Sequence, residues 1–142
     1  RDAQESRGLG DVYKRQVCTA AVSDYKPSLF QKNKIKKIEK KQNFFVEQTV
    51  DILDFISKNN THRPKLVIGF AAETDDLIKN AKSKLNQKGC DIIVANKIDN
   101  KSSVFGNLEN KVSIISNDKT VHWPKMSKAE IGEKLSDLIE NN

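Results

Sequence analysis

The fold is decided by residues 65–96, which read KLVIGFAAETDDLIKNAKSKLNQKGCDIIVAN. Two apolar runs, 65–72 and 91–96, flank a segment whose apolar residues recur at helical spacing. We predict a strand, a helix and a second strand, with Thr74 as the N-cap of the helix and Gly89 at its C-terminal cap. A strand–helix–strand unit of this length is typical of parallel strands joined by a crossover helix.

The residues that precede this unit predict two further elements. Residues 17–22 (VCTAAV) form a short apolar run, which indicates a buried strand. Thr49 is placed to cap a short helix over residues 50–57. Strands and helices therefore alternate from residue 17 onward.

The residues that follow it predict a hairpin and a last helix. Residues 112–116 and 120–123 flank a polar turn. Ser127 and Glu130 have the spacing of a capping box at the start of the helix. The apolar stripe of that helix consists of Ile131, Leu135, Leu138 and Ile139. The whole pattern predicts an α/β fold, a Rossmann-like three-layer domain with a mostly parallel sheet.

Composition limits the function classes. The chain has 142 residues, 37% of them hydrophobic, which suits one domain with a single core. No apolar stretch approaches the ~18 residues of a membrane span, and no secretory signal is recognisable. Cys18 and Cys90 are far apart and in apolar contexts, so we predict inert buried thiols in a reducing compartment. Two histidines and two distant cysteines give no metal-ligand spacing.

The N-terminal segment has a different character. The chain begins with Arg1, and its one methionine is Met126. Residues 1–16 (RDAQESRGLGDVYKRQ) are charged and lack an apolar period. We predict a non-native segment, an adapter scar, with a native linker as the alternative. The domain is then predicted to span residues 17–142.

The net charge of +6 is concentrated in one lysine-rich stretch. Its members are Lys32, Lys34, Lys36, Lys37, Lys40 and Lys41. Such a cluster attracts phosphates of nucleic acid, of a membrane or of a small ligand. The stretch lacks the arginines and aromatic residues that usually read bases. We therefore expect at least one lysine to contact the phosphates of a small ligand and the others to be solvated.

A four-residue motif suggests a different function. Residues 96–99 read NKID after a hydrophobic strand, as in the guanine-reading element of GTPases. A GTPase also needs a glycine-rich phosphate loop, and the sequence has no such loop. The alternatives left open are an enzyme, a basic α/β module that binds nucleotide or RNA without catalysis, and, third, the remnant of a GTPase whose phosphate loop lay upstream.

Three segments together carry a family resemblance. Residues 20–37 (AAVSDYKPSLFQKNKIKK), 67–74 (VIGFAAET) and 91–96 (DIIVAN) occur in this order. They strongly resemble the C-terminal part of bacterial phosphopantothenate–cysteine ligases (phosphopantothenoylcysteine synthetases) of the DNA/pantothenate metabolism flavoprotein family. The resemblance runs from about Val17 to the end. It implies a ligase domain truncated at its N-terminal side, inactive as a fragment, with an unpaired sheet edge.

The resemblance also implies a reaction and its partners. The family condenses 4′-phosphopantothenate with L-cysteine in coenzyme A biosynthesis, through an acyl-cytidylate formed from CTP. CTP as a substrate and Mg²⁺ are implied, and FMN only where a flavin decarboxylase domain is fused to the parent protein. The expected partners are these small molecules, without nucleic acid or membrane. The expected protein is cytoplasmic and homodimeric, with a higher-order assembly where the decarboxylase is fused.

The same resemblance implies the site residues. Lys34, ten residues after Asp24, matches the family's essential lysine and is the expected catalytic residue. It would stabilise the triphosphate and the charge that develops on acyl transfer. The expected nucleotide-binding residues are Cys18, Thr19, Ala20, Asp24, Lys34, Val50, Asp51, Ile52, Leu53, Phe70, Lys84 and Lys88. No metal-ligating residue is assigned.

Overall fold

A computed structural model describes residues 15–29, 43–98 and 109–141, and within these ranges the chain forms nine strands and three helices. The strands are β1 (Arg15–Val17), β2 (Tyr25–Pro27), β3 (Val46–Gln48), β4 (Leu66–Glu73), β5 (Ile92–Lys97), β6 (Glu109–Asn110), β7 (Val112–Ile115), β8 (Thr120–His122) and β9 (Met126–Ser127). The helices are α1 (Ile52–Ser57), α2 (Leu77–Lys88) and α3 (Lys128–Glu140).

The chain divides into two compact units. We call Arg1–Thr19 with Ile52–Asn142 the sheet unit, and Ala20–Asp51 the ribbon unit. In the described part of the ribbon unit, β2 and β3 pair antiparallel, with Lys26 opposite Glu47. Their ammonium and carboxylate groups form an exposed ion pair at 3.0 Å.

The main sheet of the sheet unit has five strands within the described ranges, in the order β1-β4-β5-β7-β8. β1, β4 and β5 are parallel, so that Ile68 lies between Val17 and Ile92. β7 pairs antiparallel with β5, and β8 antiparallel with β7, which confirms the predicted hairpin. Four of the five strands therefore run in one direction, which confirms the mostly parallel sheet.

Helices cover both faces of this sheet. Residues that alternate along β4 and β5 pack against α3 on one face and against α1 and α2 on the other. The α3 face contains Leu66, Ile68, Ile92, Val94, Ile131 and Leu135. The opposite face contains Val67, Ala71, Ile93, Ala95, Ala81 and Leu85. Strands buried on both faces read as continuous apolar runs, and the three-layer prediction is confirmed.

Two of the predicted helix ends are confirmed. Gly89 closes α2 with a φ of 70°, and its N–H donates to the carbonyl of Leu85. This left-handed conformation favours glycine. At α3, Ser127 and Glu130 form the predicted capping box. Hydrogen bonding to Ser127 lowers the pKa of the Glu130 carboxyl.

Two predicted helix caps are wrong. α2 begins at Leu77, and Asp76, with a φ of 41°, stands at its N-cap without a side-chain hydrogen bond. Thr74 instead donates its hydroxyl to the carboxylate of Asp75. Thr49 donates its hydroxyl to the carbonyl of Ser23. Thr74 thus bonds to the side chain of its neighbour, and Thr49 bonds to a backbone carbonyl 26 residues earlier, so neither hydroxyl caps a helix.

The first strand lies earlier than predicted. β1 is Arg15–Val17, and only the N–H of Cys18 continues the ladder, donating to Ile68. The predicted strand over 17–22 is therefore wrong, and Val22 is exposed. Arg15 pairs with β4 although it is charged, since a strand ladder uses backbone groups. The foreign or linker origin of residues 1–16 stays a prediction, as does the boundary at residue 17.

An ion pair ties the opposite end of the sheet to two helices. Asp91 is the residue just before β5, so the observed strand begins one residue later than predicted. Its carboxylate accepts from Arg63 at 2.9 Å and from the N–H of Val67 at 2.7 Å. The Arg63 guanidinium also donates to the carbonyls of Ser57, at the end of α1, and Gly89, after α2. One arginine thus satisfies carbonyls at two helix C-termini.

Candidate functional site

Three parallel strands end at the same edge of the main sheet, which we call the strand-exit edge. β1 leads to Cys18, β4 ends at Glu73 and β5 ends at Lys97. The N–H of Ile98 donates to the carbonyl of Glu73 at 2.8 Å, which ties two of these exits together. Ligands of open α/β sheets bind beyond the carboxyl ends of the strands. The strand-exit edge is therefore the candidate site in the sheet unit.

α2 brings one of its two predicted site lysines to this edge. α2 connects β4 to the parallel strand β5, so it runs antiparallel to both. Long helical side chains point toward the helix N-terminus, and Lys84 Nζ accordingly lies 3.8 Å from Glu73 Oε1. Lys88 is on the same side of α2 but one turn later, about 6 Å further from the edge. The structure thus places Lys84 at the strand-exit edge and Lys88 in the last turn of α2.

α1 lies unusually close to β4. A Cβ on Gly69 would overlap a methyl of Leu53 and lie 3.1 Å from Ile93 Cδ1. A side chain at position 69 would therefore force Leu53 to shift, and glycine leaves Leu53 room to pack into the α1/α2 face. Ile52, the first residue of α1, is 45% exposed. Of these two predicted nucleotide-binding residues, Leu53 packs its side chain against the core, whereas the side chain of Ile52 is exposed.

Phe70 lies on the other face of the sheet. It is half-buried against the α3-facing core, three residues before the end of β4. Leu53 and Lys84 belong to the helices on the opposite face. A single ligand that contacts all three residues must therefore extend across the strand-exit edge.

In the ribbon unit the backbone around Asp24 is fixed. The N–H of Thr49 donates to the carbonyl of Asp24 at 2.9 Å, and Thr49 also bonds to Ser23. The Asp24 side chain remains exposed, as do Ala20 and Val50. An exposed carboxylate on a fixed backbone is suited to a polar ligand contact.

The two chain crossings between the units coincide with predicted site segments. One crossing follows Thr19 and the other follows Asp51, so they fall within the predicted segments 18–20 and 50–53. Lys34 and Asp99 lie outside the described residues. The roles assigned to the site residues, Lys34 included, remain predictions.

The two cysteines differ in environment. Cys90, between α2 and β5, is 4% exposed, and burial raises the pKa of its thiol from 9.0 to about 11. The predicted burial is confirmed for Cys90, and a thiol that stays protonated at neutral pH is expected to be a poor nucleophile. Cys18 is half-buried after β1. Its predicted full burial is wrong, because the chain leaves the sheet there.

The described residues include neither a cluster of metal ligands nor a membrane-spanning helix. Across residues 15–29, 43–98 and 109–141, no three His, Cys, Asp or Glu side chains gather as metal ligands would. Among the helices of that same part of the chain, none has the length and apolar character needed to cross a membrane.

The sequence matches a known family along most of its length. The family is described as the DNA/pantothenate metabolism flavoprotein C-terminal domain, and the match covers residues 9–142. The chain belongs to this family. The resemblance carried by residues 20–37, 67–74 and 91–96 is thereby confirmed.

Individual relatives of this flavoprotein C-terminal domain carry two different names. The chain is 35% identical over 126 residues to the coenzyme A biosynthesis bifunctional protein CoaBC of Borreliella burgdorferi, covering 87% of this chain and 31% of that protein. It is also 35% identical over 123 residues to a cysteine/cysteine sulfinic acid decarboxylase of an unknown prokaryotic organism, covering 87% of this chain and 33% of that protein. The chain therefore spans about a third of the length of these relatives.

A solved structure of the family has the same fold. The crystal structure of the C-terminal domain of CoaBC superposes with a TM-score of 0.65 at 30% identity, covering 89% of this chain and 53% of that chain. The α/β fold class predicted from sequence is thus confirmed by a relative as well as by the sheet topology.

Glu73 is a residue of the site that sequence analysis left without a role. The available signal was an acid at the end of a strand and a lysine eleven residues later in the following helix. A helix that runs antiparallel to its strand brings two such residues together, but only the packed structure shows that they meet.

Proposed function

We propose that this flavoprotein C-terminal domain is part of a longer protein that joins 4′-phosphopantothenate to L-cysteine in coenzyme A biosynthesis. CTP is the proposed activating nucleotide. The observation that carries the proposal is the family match over residues 9–142, together with 35% identity to a coenzyme A biosynthesis protein. The strand-exit edge supports it, since nucleotides commonly bind at such an edge.

The proposed reaction has two steps. A carboxylate oxygen of 4′-phosphopantothenate attacks the α-phosphorus of CTP, and pyrophosphate leaves. The cysteine amine then attacks the carbonyl carbon of the acyl-cytidylate, CMP leaves with the electrons of the broken bond, and the nitrogen loses a proton. The first step is needed because a free carboxylate has no adequate leaving group.

Lys34 is the proposed catalytic residue. Attack on the α-phosphate builds negative charge, and a fixed ammonium lowers the energy of that transition state. Asp24, ten residues earlier, has a backbone held by Thr49. We place its carboxylate on the polar side of the nucleotide.

Mg²⁺ is the proposed companion of the nucleotide, and it supplies further neutralisation of phosphate charge. Mg²⁺ in such sites is usually held by one or two carboxylates and by the substrate phosphates themselves. The exposed carboxylate of Asp24 fits this requirement. Glu73 fits it less well, because it is paired with Lys84.

A homodimer is proposed from the ribbon unit. Its described strands have three residues each, and a two-stranded ribbon is marginally stable in water on its own. Its large apolar side chains are exposed: Val22, Tyr25, Leu29, Phe44, Phe45, Val46 and Val50. Several exposed large apolar side chains in one short segment favour an interaction site. Sedimentation of the full-length protein tests this, with Phe45→Ser expected to weaken the dimer and a wild-type monomer contradicting it.

The function is tested by Lys34→Gln in the full-length protein. We expect CMP formation to fall by at least about a hundredfold while the folded structure is retained, as when one charge-stabilising group is removed. Lys36→Gln, in the same lysine-rich stretch, is the matched control and is expected to keep its activity.

Two results would count against the proposal. Unchanged turnover in Lys34→Gln would remove this lysine from the mechanism. A wild-type protein that forms no CMP, but whose affinity for RNA falls steeply with salt, would favour the alternative of a nucleic-acid-binding module.

A further inference from the structure

Within the described ranges, Glu73 and Lys84 form an ion pair at the strand-exit edge. Lys84 Nζ lies 3.8 Å from Glu73 Oε1, with the carboxylate side chain 21% exposed and the lysine 38%. The backbone carbonyl of Glu73 accepts from Ile98 at 2.8 Å. The carboxylate therefore projects from a backbone that is fixed to both β4 and β5.

A lysine at this place needs an anchor to act on a ligand. Its side chain has four rotatable bonds, and fixing them lowers its conformational entropy. Lys84 must also extend from the middle of α2 to reach the edge. Glu73 provides a fixed opposite charge at the end of that reach.

We propose that Glu73 is a positioning residue that holds the Lys84 ammonium at the strand-exit edge for the phosphates of a nucleoside triphosphate. This inference rests on the proposed function. A separation of 3.8 Å leaves ammonium hydrogens available to a phosphate oxygen, and the partial exposure of Lys84 leaves it accessible. Protein kinases use the same chemistry, where a glutamate pairs with the lysine that contacts the nucleotide phosphates.

The alternative role for Glu73 is to oppose nucleotide binding. A carboxylate near a phosphate repels it unless a cation stands between the two. If Glu73 merely occupied Lys84, its removal would free the lysine and tighten nucleotide binding. If Glu73 positions Lys84, its removal weakens binding.

The experiment measures KM and kcat for CTP in the full-length protein. For Glu73→Gln we expect KM to rise about three- to fivefold, the scale of one partly exposed ion pair, with kcat within about twofold. In a Lys84→Met background the same substitution should leave KM unchanged, because Glu73 acts through Lys84. Glu109→Gln is the matched control, since Glu109 pairs with Lys125 at 2.8 Å between β6 and the residue before β9.

Three outcomes would overturn the inference: an unchanged KM in Glu73→Gln, a lowered KM, or an equal rise in the Lys84→Met background. If Glu73→Gln does not fold, Glu73→Asp carries the test. Its shorter carboxylate should raise KM by a smaller factor, and a wild-type KM would overturn the inference. Failure of the proposed function is distinguishable, because the wild-type protein would then form no CMP.

Discussion

The sheet unit and the ribbon unit are stabilised in different ways. In the sheet unit, Ile68 and Ile93 are fully buried, and helices cover both faces of the sheet. In the ribbon unit, the two described strands have three residues each and carry exposed side chains such as Phe45. The sheet unit therefore has an apolar core of its own. Among the described residues of the ribbon unit, 20–29 and 43–51, none is buried, so this part of the unit has no apolar core.

The largest expected effect compares one apolar residue from each unit. Ile68→Ala removes a side chain that is 0% exposed, and we expect it to lower the free energy of unfolding by about 3–4 kcal/mol. Val46→Ala truncates a side chain that is 56% exposed, and should change it by less than about 0.5 kcal/mol. Urea unfolding of the full-length protein at a subunit concentration below dimer formation measures both. An equal loss of unfolding free energy in the two variants would contradict the contrast between a buried core in the sheet unit and exposed side chains in the ribbon unit.

A smaller effect compares one ion pair from each unit. Asp91→Ala leaves Arg63 and the N–H of Val67 without this carboxylate, and should lower the free energy of unfolding by about 2–3 kcal/mol. Glu47→Ala removes the exposed partner of Lys26 and should cost less than about 0.5 kcal/mol. Thermal unfolding of the two variants measures both changes. A loss in Glu47→Ala as large as in Asp91→Ala would show that the ribbon unit is held by its own contacts.

A further effect, of at most about 1.4 kcal/mol for each pH unit, tests how well the interior of the sheet unit excludes charge. Burial raises the pKa of Cys90 from 9.0 to about 11, so between these values the folded protein keeps a proton that the unfolded chain has released. The free energy of unfolding should therefore fall as pH rises through this range, by up to about 1.4 kcal/mol per pH unit from this thiol. The slope is measured by urea unfolding from pH 8.5 to 11.

The cysteine variants separate this slope from other titrations. Cys90→Ala should lose the part of the pH dependence that comes from the Cys90 thiol. Cys18→Ala should retain it, because Cys18 is only half-buried. If the free energy of unfolding changed with pH equally in wild type and Cys90→Ala, burial would not be raising the pKa of this thiol.

The sequence was informative where a side chain's position follows from local periodicity. The strands around Ile68 and Ile93, the stripe of α3 and the Gly89 cap are all local patterns, and each was predicted correctly. The prediction of Thr74 as a helix cap was wrong because Thr74, Asp75 and Asp76 are short polar residues that compete for the same turn. The prediction for Thr49 was wrong because its hydroxyl donates to Ser23, a contact distant in sequence. The start of β1 was predicted wrongly because Arg15 and Gln16 are polar and were assigned to the N-terminal segment, whereas strand pairing needs only their backbone groups.

The candidate site was predictable only in part. Strand exits could be located from apolar runs, and the family resemblance supplied Asp24, Lys34 and Lys84. That Phe70 and Lys84 lie on opposite faces follows from strand alternation and helix placement together. The Glu73–Lys84 contact depends on the reach of a long side chain along α2, which no local pattern specifies.

The central claim is that the full-length protein activates a carboxylate as an acyl-cytidylate. The most direct measurement is the identity of the nucleotide product when the protein is mixed with 4′-phosphopantothenate, L-cysteine and CTP. The account predicts CMP and pyrophosphate in equal amounts, with one amide bond formed for each CMP. Release of CDP and inorganic phosphate, or no nucleotide turnover at all, would contradict it.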